Sequence, residues 1–215
     1  MCTIVRNSMN EGMRKVVLAS GNQGKLAEFR KMFETLGITI HPQSEFGIGS
    51  TYPEVEETGL TFIENAIIKA RYAAGVSGLP VIADDSGLEV DCLNGEPGIY
   101  SARYAGPDAS AADNNQKLLQ QLQGLKSAER TARFHCVLVY LRHQHDPTPI
   151  IAHGQWEGYI IEEALGEHGF GYDPLFLVPA EHCTAAELPA ELKNQLSHRA
   201  RALQQLVARL KEIKR

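Results

Sequence analysis

The stretch that most limits what this chain can fold into runs from Val16 to Arg30. Its apolar start, Val16–Ala19, predicts a buried strand, and a Ser-Gly-Asn-Gln-Gly-Lys loop then opens into a charged helix. The two glycines let the backbone turn and leave room for a bulky anion, so N–H groups at the helix start can face phosphate oxygens. Lys25 adds a positive charge there. The loop is not a Walker A motif, and its residues alone fit either a phosphate site or a plain strand–helix turn.

Strands and helices alternate along the rest of the chain, which indicates an α/β fold. Helices are expected over residues 26–36, 62–75, 111–122 and 197–213. The clearest strands, 132–142 and 150–161, are expected to form a long hairpin, which makes the predicted sheet mixed. We expect a flexible tail over residues 1–14 and a single domain over residues 15–215.

Composition and charge exclude several classes of protein. The formal net charge is −5 and the chain has no long basic run, which argues against nucleic acid as the main ligand. No apolar stretch is long enough to span a membrane, and residues 1–14 lack the apolar core of a signal peptide. The four cysteines are far apart and include no C-x-x-C, so reduced thiols and a cytoplasmic location are expected.

Two adjacent carboxylates follow an apolar segment at Asp84 and Asp85. A short strand over residues 79–83 is expected to end at them, with a separate strand over residues 88–93. Adjacent strand residues point to opposite faces, so only one of the two can readily face a given site. Carboxylates near a phosphate loop suit Mg²⁺, which takes oxygen ligands and shares them with substrate phosphates, and Glu57 can supply another. The alternative is that the aspartates merely cap a Ser-Gly turn.

Cations and aromatic residues add to this pattern. The cations that recur are Lys25, Lys69, Lys193 and Arg199, and a triphosphate would need several of them. The segment from Gly169 to Phe176 places aromatic residues between glycines and a proline. Such rings either stack on a nucleobase or form a hydrophobic plug under a turn. Hydrogen-bond donors stand at the start of the last helix, in Ser197-His198-Arg199.

With these motifs together, the chain resembles the inosine triphosphate pyrophosphatase family, also called dITP/XTP diphosphatases. The resemblance covers the chain from about Lys15 to the last helix. The segments that carry it are Ser20–Lys25, Glu56–Ala66, Ile82–Gly87, Pro97–Arg103, Gly169–Pro174 and Ser197–Arg199. It implies an elongated mixed β-sheet flanked by helices, with two lobes, a central nucleotide-binding cleft and usually a homodimer.

The resemblance also implies an enzyme that hydrolyses dITP, ITP and XTP to the monophosphate and pyrophosphate with Mg²⁺, and so keeps aberrant purines out of DNA and RNA. Asp85 resembles the catalytic base that positions or deprotonates a water, and Asp85 and Glu57 resemble metal ligands. The positions that match substrate-binding residues are Ser20, Gly21, Asn22, Gln23, Gly24, Lys25, Ser86, Phe170, Gly171, Tyr172, Asp173, Lys193, His198 and Arg199.

Two other functions stay open at this stage. A Maf-type nucleotide pyrophosphatase, acting on pyrimidine or modified triphosphates, also has a Ser-rich loop; the Phe-Gly-Tyr-Asp and Ser-His-Arg segments argue against it. A non-catalytic nucleotide sensor is the other, and the presence of Asp85, Glu57 and Lys25 together argues against it.

Overall fold

The computed structural model describes residues 15–34 and 37–213, so the predicted tail over residues 1–14 lies outside the described residues. In this part of the chain, seven strands form one sheet with the order β2-β1-β3-β4-β5-β6-β7. The strands are β1 (Lys15–Ala19), β2 (Thr39–Pro42), β3 (Val81–Val90), β4 (Thr131–Leu141), β5 (Ile150–Ile160), β6 (Phe176–Val178) and β7 (Cys183–Thr184). The helices are α1 (Gln23–Glu34), α2 (Phe62–Ser77), α3 (Ala111–Gln121), α4 (Ala190–Leu196) and α5 (His198–Ile213).

The sheet is mixed, as the sequence predicts. Strand β1 runs parallel to β2 and to β3, whereas β6 is antiparallel to both β5 and β7. Parallel neighbours need a crossover connection, and α1 and α2 supply it between the first three strands. The predicted hairpin strands, β4 and β5, are neighbours in the sheet and are joined by residues 142–149.

Local sequence signals set the starts of two helices. Thr61 caps α2, because its hydroxyl accepts a hydrogen bond from the Glu64 N–H, and the Glu64 carboxylate accepts hydrogen bonds from the Leu60 N–H and the Thr61 hydroxyl. Ser110 and Asp113 form a reciprocal capping box at the start of α3. These bonds satisfy N–H groups that have no partner inside a helix, and Thr61-x-x-Glu64 is the sequence pattern that predicts the start of α2.

The chain forms two compact units, each with its own core. The first is built from residues up to Asp85, from Val137–Ala152 and from Leu203 onward, and the second from Ser86–Cys136 and His153–Ala202. The core of the first unit packs alanines of α2 against apolar residues of β1, β3 and β4. The core of the second is richer in aromatic side chains, which are Tyr104, Phe134, Trp156, Tyr172 and Phe176.

The predicted break between two strands at Asp84-Asp85-Ser86-Gly87 is wrong. These residues continue one strand, β3, in place of the two short strands expected over residues 79–83 and 88–93. Both aspartates are buried in that strand, and each forms an ion pair with a lysine, so neither charge needs contact with solvent. A strand can therefore contain a pattern that in isolation is typical of a turn.

Shorter elements were not predicted from the sequence. The strands β6 and β7 and the helix α4 are too short to show a hydrophobic period, and five 3₁₀ helices also occur among the described residues. Helix α1 begins at Gln23, inside the predicted loop, rather than at Leu26. No helix among the described residues is long and apolar enough to span a membrane.

Candidate active site

The predicted phosphate loop follows the carboxyl end of β1. Its backbone is folded by two short-range bonds: the Asn22 N–H donates to the Ser20 hydroxyl at 3.3 Å, and the Asn22 side-chain oxygen accepts from the Lys25 N–H at 3.0 Å. Asn22 is thus the N-cap of α1. The loop lies at the N-terminus of a twelve-residue helix, a position that favours anion binding, and phosphate binding by the loop stays a prediction.

A carboxylate lies close to the backbone at Gly21. A Cβ at Gly21 would stand 2.6 Å from Oε1 of Glu54. That oxygen accepts a 3.0 Å hydrogen bond from the Gln43 side chain. A larger residue at this position would therefore require the Glu54 side chain to move.

The two adjacent aspartates of β3 bind different lysines. Asp84 forms an ion pair with Lys25 at 2.5 Å, and Asp85 forms one with Lys69 of α2 at 2.7 Å. Strand β3 pairs with β1 only as far as Ala83, opposite Ala19. Both carboxylates consequently lie just beyond the end of β1, where the phosphate loop begins.

Lys69 also binds the third predicted carboxylate, Glu57, at 3.0 Å. Its ammonium group thus bridges Asp85 and Glu57. Burial opposes the charge of Lys69, but the two carboxylates more than compensate and raise the pKa of Lys69 above 10.5. The ammonium stays protonated at neutral pH and partly neutralises this acidic pair. In the sequence Lys69 is one of several recurring cations, and only the structure joins it to both carboxylates.

Asp85 has the environment of a base. Burial raises the pKa of its carboxyl group, and this effect outweighs the opposing influence of Lys69 and Lys25. Oδ1 accepts the hydrogen bond from Lys69, whereas Oδ2 is buried and has no hydrogen-bond partner among the described residues. One oxygen is thus fixed and the other is available to a ligand, which is the arrangement that a water-orienting carboxylate needs.

The loop that carries Glu57 is anchored to α2 by Asn65. The buried side-chain oxygen of Asn65 accepts a 2.8 Å hydrogen bond from the Gly59 N–H. A Cβ at Gly59 would come within 2.7 Å of the same oxygen, so the loop passes close to the helix. Asn65 was missed from the sequence, because an asparagine near a helix start is an ordinary capping residue and nothing local connects it to Glu57.

Asp85 and Glu57 are the candidate metal ligands. Among the described residues no group of three or more His, Cys, Asp or Glu side chains converges as a metal cage. Mg²⁺ is commonly held by one or two carboxylates together with substrate phosphates, so two carboxylates joined through one lysine fit that pattern.

The other predicted residues belong to the second unit, where they form a cationic aromatic cluster. The cations of Lys193 and Arg199 lie over the ring of Phe170, at 5.1 and 4.9 Å from its centroid. Lys193 donates a 2.7 Å hydrogen bond to the buried Asp173 carboxylate, which also accepts the Phe170 N–H at 2.8 Å. Asp173 therefore fixes both the turn and its cation. Arg199 donates to the Ser86 hydroxyl at 3.1 Å.

Tyr172 has the second of the two environments that its segment allows. Its ring is buried, and its hydroxyl donates a 2.8 Å hydrogen bond to the Ser101 carbonyl oxygen. Burial raises the pKa of this phenol. Of the two aromatic residues between Gly169 and Pro174, Phe170 is partly exposed while Tyr172 is the hydrophobic plug under the turn. A substrate role for Tyr172 stays a prediction, as it does for Gly171, whose carbonyl accepts from Asn115.

His198 is buried at the first turn of α5, and its ring stacks on Phe134 with centroids 4.8 Å apart. Helix α5 starts where the sequence predicts, because the Ser197 hydroxyl accepts a hydrogen bond from the Ala200 N–H. The predicted residues thus form two groups. Glu57, Asp85 and the phosphate loop lie in the first unit, and Ser86, Phe170–Asp173, Lys193, His198 and Arg199 lie in the second.

The chain is similar to known proteins in both sequence and structure. The model of the Ham1 family matches residues 16–209. A Vibrio parahaemolyticus protein named dITP/XTP pyrophosphatase is 60% identical over 198 residues, which cover 92% of this chain and 97% of that protein. An Escherichia coli O157:H7 protein of the same name is 57% identical, covering 93% of this chain and 99% of the relative.

Solved structures agree with the sequence relatives. A HAM1 protein from Coxiella burnetii superimposes with a TM-score of 0.83 at 50% identity, covering 93% of this chain and all of that one. The Staphylococcus aureus Ham1 protein gives a TM-score of 0.80 at 44% identity, with 92% and 98% coverage.

Proposed function

This chain belongs to the Ham1 family, and from that premise we propose that it hydrolyses dITP, ITP and XTP to the nucleoside monophosphate and pyrophosphate. The relatives at 57–60% identity carry the name dITP/XTP pyrophosphatase and align over nearly their whole length. Such an activity removes deaminated purine triphosphates from the nucleotide pool.

The environment of Asp85 carries the proposal. One of its oxygens binds Lys69, and the other is buried with no partner among the described residues. A carboxylate held in this way can orient a water molecule and accept its proton. Lys25, at the start of α1, supplies positive charge beside it, and phosphoryl transfer depends mainly on such positioning and charge compensation.

The donor set also suits Mg²⁺. The carboxylates of Asp85 and Glu57 would hold the ion, and their oxygens are the hard ligands that this cation prefers. When bound, Mg²⁺ supplies positive charge that offsets the charge developing on the phosphate oxygens. Lys69, which bridges the same two carboxylates at 2.7 and 3.0 Å, keeps them together when no metal is present.

Selection of the base is assigned to the cluster of the second unit. Phe170 offers a ring face with two cations over it, and His198 and Arg199 offer hydrogen-bond donors. The 6-oxo group of hypoxanthine and xanthine accepts such bonds, whereas the 6-amino group of adenine donates. Donors left unpaired against adenine can give roughly 10⁴–10⁵-fold discrimination.

Pyrophosphate release from ITP, dITP, XTP, ATP, GTP and dTTP, with and without Mg²⁺, tests the proposal. We expect Mg²⁺-dependent release from the first three, lost in Asp85→Asn. Asp91→Asn is the matched control, because Asp91 forms its exposed ion pair with Arg133 outside the candidate site. Preference for a pyrimidine triphosphate would favour a Maf-type enzyme, and binding without turnover would favour a sensor.

Three further properties extend the proposal. We expect a homodimer, a cytoplasmic location and no nucleic acid partner. A sedimentation or light-scattering measurement of mass decides the first of these.

A further inference from the structure

Glycines on one face of β5 allow other elements to pack closely against the strand. Gly154, Trp156 and Gly158 alternate along the strand, so they share a face, and all three are buried. A Cβ on Gly154 would overlap the carbonyl oxygen of His198 and stand 2.5 Å from the Ala202 nitrogen. The first turn of α5 therefore packs directly on the backbone of β5, and only glycine permits that approach.

The same face holds the imidazole of His198. Its ring is nearly parallel to that of Phe134, with centroids 4.8 Å apart and planes inclined by 15°. Trp156 is also close to the imidazole, with ring centroids 6.4 Å apart and planes inclined by 22°. Phe176 of β6 packs against both Phe134 and Trp156, at 4.5 and 5.4 Å. The backbone of His198 thus packs on Gly154, and its imidazole stacks on aromatic rings.

We propose that Gly154 and Phe134 are positioning residues for purine selection, acting through His198 without contacting the nucleotide. The proposal rests on the assignment of His198 and Arg199 to base recognition. A methyl group at residue 154 meets backbone atoms, which cannot rotate away as a side chain can. The first turn of α5 has to shift by roughly 1 Å, and a displacement of that size can cost about 10²-fold in a precisely oriented site.

This displacement would act on discrimination rather than on the carboxylate chemistry. His198 and Arg199 are the first two residues of α5, so both donors move with the turn. Asp85, Glu57 and Lys69 belong to the other unit and are held by their own ion pairs. We therefore expect kcat/KM for ITP to fall while the weak turnover of ATP changes little.

The decisive variant is Gly154→Ala, with Gln155→Ala as its control. Gln155 is the next residue of β5, and its exposed side chain lies on the opposite face of the strand from Gly154. We expect the ITP/ATP ratio of kcat/KM to fall at least tenfold in Gly154→Ala and less than threefold in Gln155→Ala. Phe134→Leu, which removes the stacked ring but keeps an apolar side chain, should lower the ratio in the same direction.

A second readout does not depend on activity. The ring current of Phe134 should shift the His198 C2–H resonance in the proton NMR spectrum, assigned by its loss in His198→Gln. Gly154→Ala and Phe134→Leu should move that resonance, and Gln155→Ala should leave it within about 0.1 ppm. Circular dichroism confirms that each variant is folded, and if Gly154→Ala is not, Phe134→Leu decides alone.

An unchanged ITP/ATP ratio in a folded Gly154→Ala or Phe134→Leu variant overturns the inference, as does an equal loss in Gln155→Ala. If the wild-type enzyme itself shows no preference for ITP over ATP, the proposed function fails. In that case the His198 resonance still decides whether Gly154 and Phe134 position the imidazole.

Discussion

Replacement of Lys69 by methionine tests the electrostatics of the candidate site most directly. The change keeps most of the side-chain length and removes the ammonium group that bridges Asp85 at 2.7 Å and Glu57 at 3.0 Å. Asp85 is largely buried, so water compensates only in part for its lost partner. Its folded-state pKa, already raised by burial, should rise further.

Proton uptake by Asp85 sets an upper limit on the loss of stability in Lys69→Met. A buried carboxyl group that loses its partner can bind a proton instead. From an unfolded-state pKa of about 3.9, this costs about 4 kcal/mol at pH 7 and about 2 kcal/mol at pH 5.5. Glu57 is more exposed than Asp85 and should contribute little to the loss. We therefore expect the free energy of unfolding to fall by about 2–4 kcal/mol at pH 7.

The sign of the pH dependence follows from the raised pKa. Between the unfolded and folded pKa of Asp85, the folded variant binds more protons than the unfolded chain, so its stability falls as pH rises. The deficit relative to the wild type should accordingly shrink between pH 7 and pH 5.5. Adding Asp85→Asn to Lys69→Met should restore most of the stability, because no buried charge then remains without a partner.

Urea unfolding in EDTA at pH 5.5, 6.2 and 7.0 measures these differences. Lys211→Met is the control, because it removes an exposed lysine of α5 and should change stability by less than about 0.5 kcal/mol. A deficit that does not vary with pH, or a double variant as unstable as Lys69→Met, would show that Asp85 is not the group left without a partner.

Three further predictions concern stability. Burial lowers the pKa of His153, with the neighbouring His135 adding to the effect, so stability should fall as pH drops below about 6.5. His153→Gln should flatten that dependence. The Arg142 side chain holds the pKa of Asp146 well below its usual range, so stability from this pair is present at neutral pH and lost in acid. Asp146→Asn should therefore weaken acid unfolding below about pH 4. Thr61→Ala should cost about 1 kcal/mol through loss of the α2 N-cap.

Each of these has its own check. For His153, the melting temperature is measured between pH 5 and 8. The same pH dependence in the wild type and in His153→Gln would contradict the assignment. For Asp146, the same midpoint pH of acid unfolding in the wild type and in Asp146→Asn would contradict it. For Thr61, the control is Thr61→Ser, which keeps the capping hydroxyl; urea midpoints that fall equally in both variants would rule out the cap as the cause.

The sequence by itself determined the features that depend on near neighbours in the chain. The apolar run Val16–Ala19 and its glycine loop were sufficient to predict β1 and the start of a helix. The Thr61-x-x-Glu64 pattern predicted the cap of α2, because both partners lie within one turn. The long alternating strands predicted β4 and β5 for the same reason. The motif order was enough to indicate the family.

Tertiary structure decided everything that depends on distant partners. Asp84 and Asp85 remain inside a strand because Lys25 and Lys69, 59 and 16 residues earlier, bring charge to them. Tyr172 can be a buried plug because its hydroxyl donates a hydrogen bond to the Ser101 carbonyl oxygen, and no local pattern identifies that acceptor. Gly154 reads as an ordinary strand glycine until α5 is seen lying on it. Burial and ion pairing are properties of the folded surroundings, so residue type and spacing cannot supply them.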